Sequence, residues 1–226
     1  MKENYRFNGT KTKKSFSIEG GDIMLVHPKH LLIGESERTS LNAIFELKNI
    51  LFENNVVDYI SVIDMPKDRY CMHLDTIVTI IDENTCVGFA PLVFDKNDKV
   101  DIVTYSKENK RAVLHDSIKD LLQEIYPKMQ FIPCGNGKSP FAEREQWTDG
   151  CNFVAVKAGV AYSYERNIKT LQALQDNGFN IITVEAVVNN KININQIEKT
   201  IITLSSAELS RARGGPHCMT LPIARM

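Results

Sequence analysis

The chain has 226 residues, of which 43% are hydrophobic and 24% charged, and its formal net charge is −1 at pH 7. This composition is typical of a globular protein, and it offers neither a basic surface for nucleic acid nor an apolar run long enough to span a bilayer. The five cysteines form no Cys-x-x-Cys pair, which argues against a disulfide framework or a zinc ribbon and favours a reducing, cytoplasmic location. We predict a polar flexible tail over 1–14 and one catalytic domain over 15–226.

The first predicted elements after the tail follow the order strand, strand, helix, strand. Two short apolar segments in 23–34 flank "HPKH", a pattern typical of a hairpin with its turn at the surface. Apolar residues then recur at helical spacing up to Phe52, and "VDYISVI" predicts a strand over 57–63.

The same order returns twice further along the chain. A hairpin over 77–91 precedes a helix over 112–125, which includes Leu114, and a strand over 129–134. The third occurrence has a hairpin in 152–164, a helix ending at Gly178, and a closing strand, "NIITV", at 180–184. We therefore predict an α/β fold of about three ββαβ units arranged around an axis, although a plain α+β sheet remains an alternative. Three units rarely close a ring, so we expect exposed sheet edges that a partner or further sequence would have to cover.

Candidate chemical groups occur in polar motifs beside these units. Cys218 follows the flexible pair Gly214 and Gly215, and a thiol needs a nearby base because it is mostly protonated at neutral pH. His73 and Asp75 would point to the same side of an extended segment, so His73 is the candidate base. A further carboxylate could orient that histidine, as the third group of a triad does.

Five motifs then carry a resemblance to a known family. "SIEGGD", "GESERTS", "MHLDT", "REQWTDG" and "RARGGPHCMTLPI" resemble the motifs of arginine deiminases and occur in the same order. The resemblance implies the fold of the guanidine-modifying enzymes, an α/β propeller of five ββαβ units, of which this chain would hold a partial set. It also implies hydrolysis of L-arginine, or a related guanidine compound, to L-citrulline and ammonia, with neither metal nor cofactor.

The resemblance assigns three residues to the chemical steps and three to the substrate. Cys218 would attack the guanidinium carbon and form a covalent intermediate, His73 would protonate the departing ammonia and later activate water, and Glu19 would hold His73. Asp75 would hydrogen-bond the guanidinium, Arg38 would pair with the substrate α-carboxylate, and Arg213 would lie on the mobile loop beside the nucleophile. A planar cation with five donors is held best by carboxylates.

The resemblance covers only the C-terminal part of such an enzyme. Arginine deiminases carry a Phe-Thr-Arg-Asp-Pro motif earlier in the chain, whose aspartate is a second carboxylate on the guanidinium, and this sequence has no such motif. Removing one partner of a buried charge pair costs about 3–5 kcal/mol. We therefore expect a truncated arginine deiminase-like protein with little or no activity by itself. The alternatives are half of a split enzyme, completed by a separate N-terminal chain or within a homo-oligomer, and a non-catalytic binding protein.

Overall fold

The chain passes twice through each of two structural units. The computed structural model describes residues 16–109, 111–189, 191–206 and 208–221, and the predicted 1–14 tail lies outside them. Unit 1 comprises the described residues of 16–74 and 96–118, and unit 2 those of 75–95 and 119–221. No helix among the described residues is long and apolar enough to cross a membrane.

Unit 1 is built on a five-stranded sheet in the order β1-β2-β3-β6-β7. The strands are Ile23–His27 (β1), His30–Glu35 (β2), Tyr59–Asp64 (β3), Asp101–Ser106 (β6) and Val113–His115 (β7). The first two strands form the predicted hairpin, and helix α1 (Leu41–Glu53) connects β2 to the parallel strand β3. This confirms the first strand–strand–helix–strand order.

One face of the unit 1 sheet is covered by α1. Leu31 and Ile33 occupy alternate positions on β2, Ile60 and Val62 do so on β3, and all four pack with Ile44 of the helix. Alternate strand residues share a face, and burying an aliphatic side chain of this size stabilises a fold by about 1.5–3 kcal/mol. The apolar residues that recur at helical spacing in α1 and those that alternate along β2 and β3 therefore pack into one core.

Two expectations for unit 1 are wrong. Leu114 lies in strand β7, opposite Val103 of β6, and is 77% exposed, so the helix predicted over 112–125 begins only at Ile118. The helical spacing from Leu114 onward gave the wrong element because a three-residue edge strand has no periodicity of its own. His30 is not in the surface turn; it is buried at the start of β2 and bonds to Ser61.

Unit 2 contains two sheets. Val78–Asp82 (β4), Thr85–Gly88 (β5) and Gln130–Pro133 (β8) form the first, in which β4 and β5 are a hairpin and β8 runs parallel to β5. The second sheet has the order β11-β12-β10-β9. Its strands are Val154–Lys157 (β9), Val160–Tyr164 (β10), Asn180–Thr183 (β11) and Thr200–Leu204 (β12). None of the sheets formed by the described residues closes into a barrel.

The helices of unit 2 are short and occupy the connections. They are Ala90–Val93 (α2), Ile118–Ile125 (α3, which begins where the chain returns to this unit), Phe141–Trp147 (α4), Ile168–Asp176 (α5) and Val184–Val188 (α6). The core combines Val87 and Ile132 of the first sheet with Ala161 and Ile201 of the second, and with Leu174 of α5. Both later hairpins are therefore present, each followed along the chain by a helix and a parallel strand.

The predicted closing strand of the third occurrence is displaced from its expected neighbour. Strand β12 lies between β11 and β10 and runs parallel to both. The sequence Thr-Ile-Ile-Thr-Leu is buried along nearly all of β12, whereas the ends of β11 are exposed. A strand with apolar and β-branched side chains on both faces suits the centre of a sheet, so β12 takes the position that "NIITV" was predicted to fill.

Candidate active site

Glu19 and His73 are joined by a short side-chain hydrogen bond in unit 1. His73 Nε2 donates to Glu19 Oε2 at 2.6 Å, and the histidine side chain is 15% exposed. Arg38 joins the pair from one side, with Nη1 3.6 Å from Glu19 Oε1. The Arg38 and Glu19 side chains are 47% and 43% exposed, so this second contact is worth little in stability. Unit 1 thus brings together three of the predicted site residues.

The His73 ring lies directly on the backbone of Gly21. A Cβ atom at this position would be 2.8 Å from His73 Cγ, closer than real Cβ contacts allow, whereas a Cβ at Gly20 would meet nothing within 4 Å. Only the second glycine of "EGGD" is therefore required for the ring to occupy this place.

Asp22 connects the segments that carry these residues. Its Oδ1 accepts from the backbone N–H of Leu74 at 2.9 Å, and its Oδ2 accepts from Ser36 Oγ at 2.7 Å. Burial raises the pKa of the Asp22 carboxyl, and hydrogen bonds that include Ser36 and Leu74 oppose that rise. Our sequence analysis missed this residue, although its place at the end of "SIEGGD", beside an apolar strand, was a usable signal.

Asp75 and Cys218 come together in unit 2. The Asp75 carboxylate is almost fully buried, and Cys218 Sγ lies 3.8 Å from its Oδ2. Asp75 lies in a turn of 3-10 helix, Leu74–Thr76. The prediction of an extended segment here is therefore wrong, and strand alternation does not relate His73 to Asp75.

His217 is a second partner of Asp75 that the sequence analysis missed. Its Nδ1 donates to Asp75 Oδ2 at 2.8 Å, and this hydrogen bond raises the pKa of the imidazole against the opposing effect of burial. Its position directly before Cys218 was the available signal, because a side chain beside a nucleophile shares its surroundings.

The protonated form of the Cys218 thiol is strongly favoured in this arrangement. Cys218 is exposed, whereas the other four cysteines are buried free thiols. Its sulfur is nevertheless partly shielded from water and faces a carboxylate, and these two effects, in that order, raise the pKa of the Cys218 thiol to about 11. Such a group becomes a nucleophile only when a cation or a base enters its surroundings.

Asn152 holds the backbone that carries the thiol. Its Oδ1 accepts from the N–H groups of His217 at 3.0 Å and Cys218 at 3.3 Å, and its Nδ2 donates to the Asp75 carbonyl at 3.2 Å. A Cβ atom on Gly215 would be 2.2 Å from Asn152 Oδ1. The amide side chain, fully buried, thus joins the main chains of Asp75 and Cys218.

Asp149 and Tyr164 hold the same turn one step earlier. The Gly214 N–H donates to Asp149 Oδ2 at 3.2 Å, and Tyr164 OH donates to the Gly214 carbonyl at 2.7 Å. Burial raises the pKa of the Asp149 carboxyl to about 6, against the lowering influence of Arg213 and the Gly214 hydrogen bond.

Arg213 packs against an aromatic ring of unit 2. Its guanidinium carbon lies 4.6 Å from the centroid of the Trp147 ring, and its Nη1 donates to the Trp147 carbonyl at 3.2 Å. Arg213 also has a positive φ of 63°, a conformation that few non-glycine residues adopt. Its predicted role beside the substrate stays a prediction.

Metal ligation finds no support in the part of the chain that the structure describes. There, no three His, Cys, Asp or Glu side chains are grouped in a way that could hold a metal ion. What the described geometry offers is a paired imidazole and carboxylate in unit 1 and a thiol beside a carboxylate in unit 2, groups suited to proton transfer and covalent catalysis.

Comparison with solved structures defines the class of fold. An amidinotransferase from Microseira wollei, of the saxitoxin biosynthetic pathway, matches 95% of this chain and 49% of its own with a TM-score of 0.57 at 16% identity. A mutant of DDAH from Pseudomonas aeruginosa in complex with citrulline matches 88% of this chain and 53% of its own, with a TM-score of 0.51 at 18% identity. The α/β units therefore have the fold of guanidine-modifying enzymes, as predicted.

Sequence comparison identifies the family within that class. The arginine deiminase family profile matches residues 2–225. Arginine deiminase from Mycoplasma capricolum is 37% identical over 214 residues, and that from Staphylococcus aureus strain MRSA252 is 36% identical over 217. The chain belongs to the arginine deiminase family. It spans about half the length of these relatives, 48% in each case, while 94% and 93% of its own residues are covered.

Proposed function

We propose that this chain carries the nucleophile and the acid–base group of an arginine deiminase, which hydrolyses L-arginine to L-citrulline and ammonia. The observation that carries the proposal is the Cys218 thiol 3.8 Å from the buried Asp75 carboxylate, in a chain of this family. A buried carboxylate beside a thiol is unfavourable for a resting thiolate. It suits a site that is completed by a cationic substrate.

The substrate would supply the charge that the thiol needs. A guanidinium hydrogen-bonded to Asp75 offsets the negative charge that now raises the pKa of Cys218, and it adds a positive charge close to the sulfur. Both changes lower the pKa of the thiol, because a nearby cation favours the thiolate. Asp75 would exchange its hydrogen bond with His217 for one with the guanidinium.

The reaction would then proceed in two stages. The Cys218 thiolate attacks the guanidinium carbon, and the C–N bond to the departing nitrogen breaks as His73 delivers a proton to it, releasing ammonia. A water molecule next gives one proton to His73 and adds as hydroxide to the same carbon. The C–S bond then breaks with its electron pair returning to sulfur, and the remaining hydroxyl proton passes to the released ammonia, which leaves citrulline, ammonium and the thiolate. The hydrogen bond that His73 donates to Glu19 would hold the His73 ring in one orientation throughout.

Two arginines would serve the rest of the substrate. Arg38 is half exposed in unit 1 and would pair with the substrate α-carboxylate, since a guanidinium binds a carboxylate through two parallel hydrogen bonds. Arg213 directly precedes the turn of Cys218 and would leave Trp147 when substrate enters. No metal or cofactor takes part in this scheme, and a reducing cytoplasm is the expected location.

We further propose that these 226 residues have little activity by themselves. The chain spans about half the length of its relatives, and by resemblance the other half contributes a second carboxylate to the guanidinium. Losing one of two carboxylates around a buried cation costs about 3–5 kcal/mol, or roughly a 10²- to 10⁴-fold lower rate. A truncated arginine deiminase-like chain is therefore the arrangement that we propose, and half of a split enzyme, completed by a separate N-terminal chain, is the alternative.

Citrulline formation from L-arginine tests the proposal. The purified 226-residue chain would be assayed alone and after addition of the N-terminal half of the Mycoplasma capricolum relative, with Cys218→Ala as the control. We expect turnover only in the mixture, and none with Cys218→Ala. Rapid turnover by the single chain would refute the need for a second polypeptide. Arginine binding without turnover in either case, unchanged by Cys218→Ala, would favour a non-catalytic binding protein.

A further inference from the structure

A cleft in unit 2 lies apart from the residues assigned to the reaction. It occupies about 540 Å³ beside α4 and the start of α5, a volume in the range of small-molecule sites. Three cationic side chains line it, those of Arg144, Arg166 and Lys169, and the exposed apolar side chains of Phe141 and Ile168 lie beside them. The cleft thus combines positive charge with apolar surface.

The one carboxylate in the lining, that of Glu145, already accepts hydrogen bonds on both of its oxygens. Glu145 is buried, and its two oxygens accept from the backbone N–H groups of Lys169 at 2.8 Å and Thr170 at 2.7 Å. Thr170 Oγ1 donates to the same carboxylate at 2.7 Å. Among the described residues, none of the three cations of the cleft has a carboxylate within 4 Å. Their charges are therefore not neutralised by a direct partner.

The walls of the cleft are held in place by their own contacts. Thr148 Oγ1 donates to Asn167 Oδ1 at 2.6 Å, and this bond joins the end of α4 to the start of α5. Lys169 Nζ lies 5.5 Å from the centroid of the Phe141 ring. Arg166 donates from Nη1 to Ser210 Oγ at 2.5 Å, which uses one of the five donors of a guanidinium. The cations are thus partly ordered before any ligand binds, which lowers the entropic cost of binding.

We propose that this cleft binds a small phosphorylated molecule. A phosphate group presents several strong acceptors and two or more negative charges, and guanidinium groups bind it bidentately. One carboxylate would leave most of the donors of Arg144, Arg166 and Lys169 unused, whereas a phosphate can engage all three side chains. The organic part of the ligand would lie against Phe141 and Ile168. This site goes beyond the deiminase reaction, and its test requires no turnover.

Titration calorimetry with inorganic pyrophosphate at low ionic strength tests the site. We expect Arg144→Gln and Lys169→Gln each to weaken binding roughly tenfold, because each variant loses charged hydrogen bonds whose strength is reduced by exposure to water. Lys169→Arg keeps the charge and should bind like the parent chain. Lys128→Gln is the matched control, since Lys128 lies in a different cleft that also contains Asp82 and Glu198.

Three results would overturn the proposal. They are an absence of pyrophosphate binding, an equal loss in Lys128→Gln, or tighter binding of citrate than of pyrophosphate. The altered side chains are exposed, so circular dichroism should show unchanged folding in every variant. Failure of the deiminase assay would not bear on this outcome, because binding is measured directly.

A ligand bound in the cleft should also affect the segment that precedes Cys218. Ser210, the partner of Arg166, lies in the 3-10 helix Leu209–Ala212, which directly precedes Arg213 and Gly214. We expect pyrophosphate to change the rate at which iodoacetamide alkylates Cys218 at least twofold, and we expect Lys169→Gln to need about tenfold more pyrophosphate for the same change. An unchanged rate in the parent chain at saturating pyrophosphate would refute this link.

Discussion

The histidine region of unit 1 and the cysteine region of unit 2 hold their reactive groups in different ways. His73 is fixed through its ring, by one short hydrogen bond to Glu19 and by the bare backbone of Gly21. Cys218 is fixed through its main chain, by hydrogen bonds from its own N–H and from its neighbour to Asn152. The side-chain partner of His73 is half exposed, whereas Asn152 is fully buried.

This difference follows from what each group would have to do. An acid–base histidine needs a set ring orientation and a partner for its second nitrogen, and a side-chain hydrogen bond provides both. A nucleophilic thiol needs a sulfur atom that the substrate can reach, so its position has to be fixed through hydrogen bonds to the backbone. We therefore expect substitutions in the cysteine region to alter stability and those in the histidine region to alter chemistry, with smaller effects on stability.

The largest expected effect on stability is that of Asn152→Ala. The substitution leaves two backbone N–H groups and the Asp75 carbonyl without their partner, and buried unsatisfied groups cost about 1–3 kcal/mol each. Because water can reach the turn, we expect a loss of about 2–4 kcal/mol in the free energy of unfolding, measured in urea. Asn84→Ala, an exposed asparagine of the same unit, should change it by less than about 0.5 kcal/mol. Equal effects of the two would contradict the role given to Asn152.

Gly215→Ala should follow closely. Its Cβ would overlap Asn152, and overpacking of a well-packed site costs about 1–3 kcal/mol. Gly214→Ala is the matched control in the neighbouring position, where a Cβ meets nothing within 4 Å. We expect urea unfolding to show a loss of about 2–3 kcal/mol for the first variant and almost none for the second. Similar losses in both would mean that backbone flexibility, and not space, explains the glycine pair.

The buried carboxylate of Asp149 should make stability depend on pH. Because its pKa is raised from 3.8 to about 6 in the folded protein, the folded state binds more protons than the unfolded state between these values. The free energy of unfolding contributed by this group therefore falls as pH rises through about 4 to 6, by roughly 2–3 kcal/mol.

Asp149→Asn would isolate that contribution. Asparagine tolerates the positive φ of this position and should flatten the slope between pH 4 and pH 6 in urea unfolding. Asp176→Asn, which alters an exposed carboxylate of the same unit, should leave the slope as it is. A slope that persists in Asp149→Asn would assign the titration to another group.

The smallest expected effect is in the histidine region. Gly21→Ala would bring a Cβ within 2.8 Å of His73 Cγ, but the partly exposed ring can move aside, so we expect a loss of only about 1 kcal/mol. The hydrogen bond to Glu19 should break at the same time, and the ring resonances of His73 in an NMR spectrum would report this. Gly20→Ala should leave stability and spectrum unchanged, because a Cβ there meets open space. A larger loss in the free energy of unfolding for Gly21→Ala than for Gly215→Ala would contradict the expected difference between the histidine and cysteine regions.

Sequence patterns predicted the strand–strand–helix–strand order well where the elements are long. The α1 helix with β1 to β3 follows the spacing of apolar residues, because each of these elements buries one regular face. The patterns failed at β7 and β12. A three-residue edge strand has too few residues to show alternation, and the central place of β12 depends on pairing with two strands that are distant in sequence.

The candidate site divides in the same manner. The motifs singled out Glu19, His73, Asp75 and Cys218 as candidates, since these residue types can carry such chemistry and occur in recognisable surroundings. Asp22, Asp149 and Asn152 were missed, because a buried residue that accepts hydrogen bonds from distant backbone looks like any other polar residue in the sequence.

The sequence by itself determined the family and the order of most elements, and it supplied the candidate reactive groups, since these depend on residue type and local spacing. Only the tertiary structure decided which strand lies at the centre of a sheet, which glycine of each pair touches a side chain, and which polar groups restrain the nucleophile. Those features arise from contacts between residues far apart in the chain. Asn152 shows this most clearly, because its side chain joins the main chain of Asp75 to the turn at His217, and that turn lies more than sixty residues after Asn152.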